Sequence, residues 1–216
     1  MVTMFVPSTS QPALSSTDGQ RPGFHSFKTS APIHYPHRWH RDALIQLTLD
    51  PSITALAPSP ISSSDLAEGV TAAFTAVYGS VPVLLGLADG STDDVFADVG
   101  DLPQLVLTRR EVLAEPRATT ARMIWSARKT QVSPGDRIRV LQRLSRHPSG
   151  LPISALEEAI ASPHGDPIDA ILALACVGLV AIDATGHLRP ETVVRRLDRS
   201  LNVRLWPHGG LSAHQP

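Results

Sequence analysis

The apolar pattern of this chain changes period at Thr108, and that change constrains the fold more than any other feature of the sequence. Before it lie short strand-like segments. Ile53-Thr-Ala-Leu-Ala57 is closed by Pro58, Val70-Thr-Ala-Ala-Phe-Thr-Ala-Val-Tyr78 by Gly79-Ser80, and Val81-Pro-Val-Leu-Leu-Gly-Leu87 by Asp89-Gly90. Asp94–Val99, closed by Gly100, and Leu105-Val-Leu107 read the same way. Runs of this length, bounded by Gly, Pro, Asp or Ser, are strand and turn signals. Ahead of them Trp39–Leu49 predicts a helix stopped by Asp50-Pro51.

After Thr108 the spacing is helical. Arg109–Ala114 and Thr119–Lys129 predict short helices, and Ser133–Asp136 a loop. Asp136–His147 predicts a helix burying Ile138, Leu141 and Leu144, with Arg139, Arg143 and Arg146 along its other side. Ser154-Ala-Leu-Glu157 reads as a capping box opening the next helix. Asp166-Pro167 reads as the N-cap and first residue of a third, closed by Gly178. Leu179–Asp183, a turn at Thr185-Gly186 and His187–Arg189 predict a hairpin, and Arg195, Arg196 and Arg199 fall in a final helix. Three helices and a hairpin make a winged-helix pattern.

The expected organisation is a flexible leader over 1–23, a mixed α/β domain with a central sheet over 24–108, a helical linker over 109–132, a winged helix over 133–200 and a tail over 201–216 with Trp206 as a docking point. The composition, 42% hydrophobic and 18% charged, is that of a globular chain. The first residues lack the basic lead of a secretory signal, and no apolar run is long enough to span a membrane, so a cytoplasmic protein is expected. The single cysteine, Cys176, excludes an intrachain disulfide and a thiolate cluster, and its apolar setting predicts a small buried hydrophobe.

The net charge of −1 is unevenly spread. Residues 1–100 hold four basic and nine acidic side chains, whereas 109–146 hold ten basic and three acidic. That asymmetry points to an anionic partner for the second half. Arg109, Arg110, Arg122, Arg128, Lys129, Arg139, Arg143 and Arg146 are the candidates for contact with a phosphate backbone, with a solvated helix surface as the plain alternative. The candidate recognition helix, Pro167–Val177, holds no Lys or Arg and reads as core, which argues against base reading through it.

Two stretches carry a resemblance. Phe24-His-Ser-Phe-Lys28 followed by His34-Tyr-Pro-His-Arg-Trp-His-Arg-Asp-Ala-Leu-Ile-Gln-Leu-Thr-Leu-Asp50 and Pro51-Ser-Ile53, with Ser59-Pro60 beyond, is similar to the start of the TnsA family of transposon endonucleases. Leu107–Arg117 with Ala121-Arg-Met-Ile-Trp125 and Arg128 resembles that family's link between nuclease and winged-helix domains. The resemblance covers about residues 24–190. It implies a restriction-endonuclease-like fold for the central-sheet domain, a winged helix after it, and docking onto an AAA+ ATPase or a transposase.

It also implies a Mg²⁺ site, built from a Glu on the helix, an Asp on a strand and an acid or amide two residues before a Lys. Such a hard cation takes oxygen ligands and activates water. Here the aligned positions are His40, Ala73, Asp98 and Gly100, so one acid remains and the Lys is missing. A catalytically inactive protein with no cofactor is expected, binding DNA backbone or bridging to a recombination partner. The alternatives are a protein-interaction module without DNA binding, and an active Mg²⁺-dependent endonuclease using Asp98 with Asp93, Asp94 or Asp101. His34, His37 and His40, spaced three apart, are a weaker metal pattern because Pro36 breaks any helix joining them and no Cys or Glu completes the set.

Overall fold

Asp50 ends the first helix by folding its carboxylate onto Ser52, accepting from the backbone N at 2.9 Å and from the hydroxyl at 2.6 Å. This turns the chain from α1 (Arg38–Leu49) into β1 (Ile53–Pro58). The computed structural model describes residues 23–59, 61, 66, 68–90, 102–161 and 165–197. β2 (Val70–Tyr78) and β3 (Val81–Ala88) continue an antiparallel meander, and β4 (Gln104–Thr108) lies parallel to β3. The four strands form a mixed sheet in the order β1-β2-β3-β4. The expected strands at 53–57, 70–78, 81–87 and 105–107 are therefore present, while Asp94–Val99 lies outside the described residues.

α2 (Arg109–Val112) starts at once from β4, because Thr108 and Glu111 cap each other reciprocally. α3 (Arg117–Ser126) and a 3₁₀ turn (Ala127–Lys129) follow. α4 (Pro134–Ser145), β5 (Leu151–Pro152), α5 (Ile153–Glu157), α6 (Pro167–Cys176), β6 (Val180–Ile182) and β7 (Val193–Arg196) complete the chain, with a second sheet ordered β5-β7-β6. The fold is thus mixed α+β. One apolar cluster runs from Phe24 and Leu44 through Trp125 to Ile171 and Val194, joining both parts of the chain. Phe24 stacks on Trp125 at 5.3 Å between ring centroids.

Several expectations need correction in the second half. Ser133–Asp136 is not a loop: Ser133 caps α4, its hydroxyl accepting from Asp136 N at 3.0 Å, and Pro134 is the first helical residue. Consequently α4 buries Asp136, Val140 and Leu144, one stripe at four-residue spacing, and Ile138 is 53% exposed on the opposite face. Ser154 does not cap α5. The helix begins at Ile153, and its free N–H groups at Ile153 and Ser154 donate to the carbonyls of Thr192 and Pro190.

The partner of β6 is Val193–Arg196, not His187–Arg189, so Arg195 and Arg196 lie in a strand and not in a final helix. The β-branched pair Val193-Val194 favours the strand, and Val194 is fully buried between β5 and β6. Arg199 and Trp206 lie outside the described residues. As expected, Asp166 caps α6 and Gly178 ends it. A side chain at Gly178 would fall 2.3 Å from the Phe27 ring, and its φ of +72° independently favours glycine. No helix among the described residues is long and apolar enough to cross a membrane.

Candidate functional site

The position aligned with the family's metal-binding Glu holds a sealed imidazole. His40, in the first turn of α1, is fully buried, with Trp39 edge-on at 4.0 Å and His37 at 5.2 Å. Its Nε2 lies 2.9 Å from Thr71 Oγ1, and that hydroxyl donates its own proton to Leu87 O at 3.0 Å. Thr71 can then only accept from the ring, which assigns the proton to Nε2 and leaves the Nδ1 lone pair buried without a partner. Protonation would add a buried N–H with no acceptor. Burial, with some repulsion from His37 and against the pull of Asp89, pushes the His40 pKa down to about 4.

Thr71 reaches His40 because of an irregularity in β2. The register steps from Val70↔Ala88 to Ala72↔Leu87, which makes Thr71 the extra residue of a bulge. Ala73 goes elsewhere. It packs with Val70, Leu84 and Val106 in a small cluster separate from the main core that takes Ala72 and Phe74, and it sits across from Gly86 of β3. Of the two aligned positions, His40 therefore meets Thr71 and Ala73 lies apart from it. Asp93, Asp94, Asp98, Gly100 and Asp101 lie outside the described residues.

Beside His40 opens a cleft of about 540 Å³, lined by residues from α1, α2, α3 and the end of β3. Two of its cations are paired across elements. Arg122 grips Asp42 with both Nε and Nη2, at 3.2 and 2.8 Å, and this contact raises the Arg122 pKa. Arg109 lies 3.8 Å from Asp89 in a wetter contact. Arg38 lines the same cleft.

The described residues do not fit Mg²⁺ here. The buried nitrogen is a softer donor than the oxygens that ion requires, and the one buried carboxylate is occupied by a guanidinium. Among the described residues no group of three His, Cys, Asp or Glu is placed to hold a metal, and His34, His37 and His40 do not form one.

The proposed phosphate-contacting residues separate into two kinds. Arg109, Arg122, Arg139 and Arg143 face carboxylates, respectively Asp89, Asp42, Asp136 and Glu158. Arg139 also donates to Ala159 O at 2.9 Å, tying α4 to the end of α5. Arg128 is drawn over the Trp125 ring, and Arg110, Lys129 and Arg146 are exposed. Sequence reasoning missed Arg195 and Arg196. The β-branched pair just before them was the signal that could have placed them on a strand.

The two motif fragments near the start meet, but as structure. Lys28 is buried and donates from Nζ to Leu47 O and Asp50 O, closing the C-terminal end of α1, where a cation suits the helix dipole. Burial, partly offset by Asp50, lowers the Lys28 pKa to about 7. Cys176 is buried as expected, its thiol donating to Ile124 O, and burial pushes its pKa up to about 12, far from a reactive thiolate. Compared with known proteins, the chain matches no family model, no curated protein and no solved structure.

Proposed function

We propose that the chain is a TnsA-like protein that works by binding and not by cutting, holding the backbone of duplex DNA, bridging it to an AAA+ ATPase or transposase, or both. The observation that carries this reading is His40. At the position where the resemblance expects a metal-binding Glu stands a neutral, buried imidazole whose one proton is committed to Thr71. A four-stranded mixed sheet with a helix against it, followed by three helices and a three-stranded sheet, is compatible with a restriction-endonuclease-like domain and a winged helix. α6 is buried from Ala170 to Cys176, so contact falls to phosphates and not to base edges.

Supercoiled plasmid incubated with Mg²⁺ or Mn²⁺ should stay intact, while a labelled duplex should be retained at low salt and released as salt rises. Nicking would instead select an endonuclease using Asp98 with Asp93, Asp94 or Asp101. A second reading, a protein-interaction module without DNA binding, is favoured by the exposed apolar side chains of Phe27, which packs at Gly178, and Val177. Co-purification with a partner, with no duplex retained at any salt, would select it.

A further inference from the structure

Arg109, Arg122, Arg139 and Arg143 already face carboxylates, so the anionic partner is sought at other arginines. One group of these lies where β7 meets the end of α4. Arg195 and Arg196 are consecutive on a strand and so project to opposite faces. Both nevertheless reach the turn 145–150: Arg195 Nε donates to Ser149 O at 3.1 Å, and Arg196 Nη1 donates to Ser145 Oγ. Arg146 and His147 ride on that turn and are exposed.

Gly150 lets the strand and turn close together. A Cβ there would lie 2.6–2.8 Å from Val193 Cγ1, Val194 O and Arg195 Cγ, and its φ is +93°. Two guanidinia are thus anchored by neutral oxygens on the turn that carries the exposed Arg146, and none of the three forms an ion pair among the described residues. The chain as a whole carries −1, so this is not the overflow of a basic protein.

We infer that this corner, Arg146 with Arg195 and Arg196, is a contact surface for the phosphate backbone of duplex nucleic acid. The inference rests on the DNA-binding reading above and deepens it by placing the contact at the β7–α4 corner, where Arg195 and Arg196 join Arg146 of the expected set. Guanidinium groups present paired donors that match phosphate oxygens, and anchored ones lose less freedom on binding. These arginines do not line the cleft beside α1, so the geometry suits a polymer with repeated charges more than a small anion in that cleft.

The test is fluorescence anisotropy of a labelled blunt duplex titrated with the full chain over a range of salt. The variant Arg146→Gln/Arg195→Gln/Arg196→Gln should bind at least about tenfold more weakly, with the log–log salt slope shallower by about three. Arg109→Gln should leave affinity within about threefold, because that side chain faces Asp89 away from the corner. The triple lysine variant at the corner should retain most of the slope, since charge is kept, and it keeps the test decisive if the glutamine triple does not fold.

Wild-type slope in the folded glutamine triple would overturn the corner while leaving DNA binding standing. Loss of slope in the lysine triple would overturn it equally. Wild-type protein that ignores duplex at low salt would overturn the DNA-binding reading itself. Tighter retention of a labelled polyglutamate than of the duplex would overturn the phosphate assignment and point to an acidic protein.

Discussion

The cleft at the start of α1 and the corner between β7 and α4 are both rich in arginine, but they use it in opposite ways. In the cleft Arg122 is bound to a carboxylate that is itself 10% exposed, and Arg109 faces Asp89. These two pairs cancel their own charges and join α1 to α3 and the end of β3 to α2. At the corner the guanidinia rest on a hydroxyl and a carbonyl, which position them without cancelling their charge. A basic side chain in a sequence therefore says little about a partner until its counter-charge is known. Substitutions in the cleft should act on folding and its pH dependence, and those at the corner on binding.

The largest expected difference concerns pH. The unfolded chain takes up a proton on His40 near pH 6.5, while the folded chain holds it off to about pH 4. Between these values the unfolded state binds more protons, so stability falls as pH drops through this window and this contribution levels off below it. The full effect has a ceiling of about 3 kcal/mol, from 1.36 kcal/mol per unit. In His40→Gln the amide can still donate to Thr71 but cannot titrate. Its urea midpoint should therefore lose this part of the acid dependence. Equal slopes in both proteins between pH 6.5 and 4 would show that His40 is not sealed.

Arg122→Ala should come next, at about 2 kcal/mol, because it leaves the Asp42 carboxylate nearly buried and without its guanidinium. The figure lies below that for a fully buried pair, since the Arg122 side chain is 43% exposed and water screens that end. Arg146→Ala, on an exposed turn, should stay within about 0.5 kcal/mol. Urea unfolding of the two variants side by side compares the regions directly, and equal losses would erase the distinction between them.

The first half was legible in the sequence because its strands end on strong turn chemistry: Pro58, Gly79-Ser80 and Asp89-Gly90 punctuate apolar runs, and Asp50 stops the helix. The candidate site was less legible. That His40 meets Thr71 and not Ala73 depends on a one-residue bulge, which reverses the facing of side chains and leaves no mark in the alternation. The corner was hidden for a different reason. Arg195, Arg196 and Arg199 have helical spacing, and the competing signal is only two valines long. What decides for the strand is its burial between β5 and β6, both distant from it in sequence. Ile138 failed similarly: an apolar residue at plausible spacing lies outside because capping by Ser133 sets where α4 begins and its packing partners choose the stripe at Asp136, Val140 and Leu144.

The smallest expected effect on stability tests the comparison from the other side, by adding a free arginine to the corner. Arg143 precedes Arg146 by one turn of α4 and is held by Glu158 at 2.8 Å, in a pair whose side chains are 37% and 73% exposed. Such a surface pair contributes a few tenths of a kcal/mol, so Glu158→Gln should barely move the unfolding midpoint. Its effect on duplex binding should nevertheless be favourable. Removing the carboxylate releases a fourth guanidinium beside the three, so the affinity for duplex should rise by about twofold to fivefold and the salt slope steepen by up to about one. Asp89→Asn, which releases Arg109 in the cleft, changes the net charge by the same amount but should leave the slope near that of the wild type. A rise in both variants would mean that total charge governs binding, and a rise in the Asp89 variant alone would place the phosphate contact at the cleft.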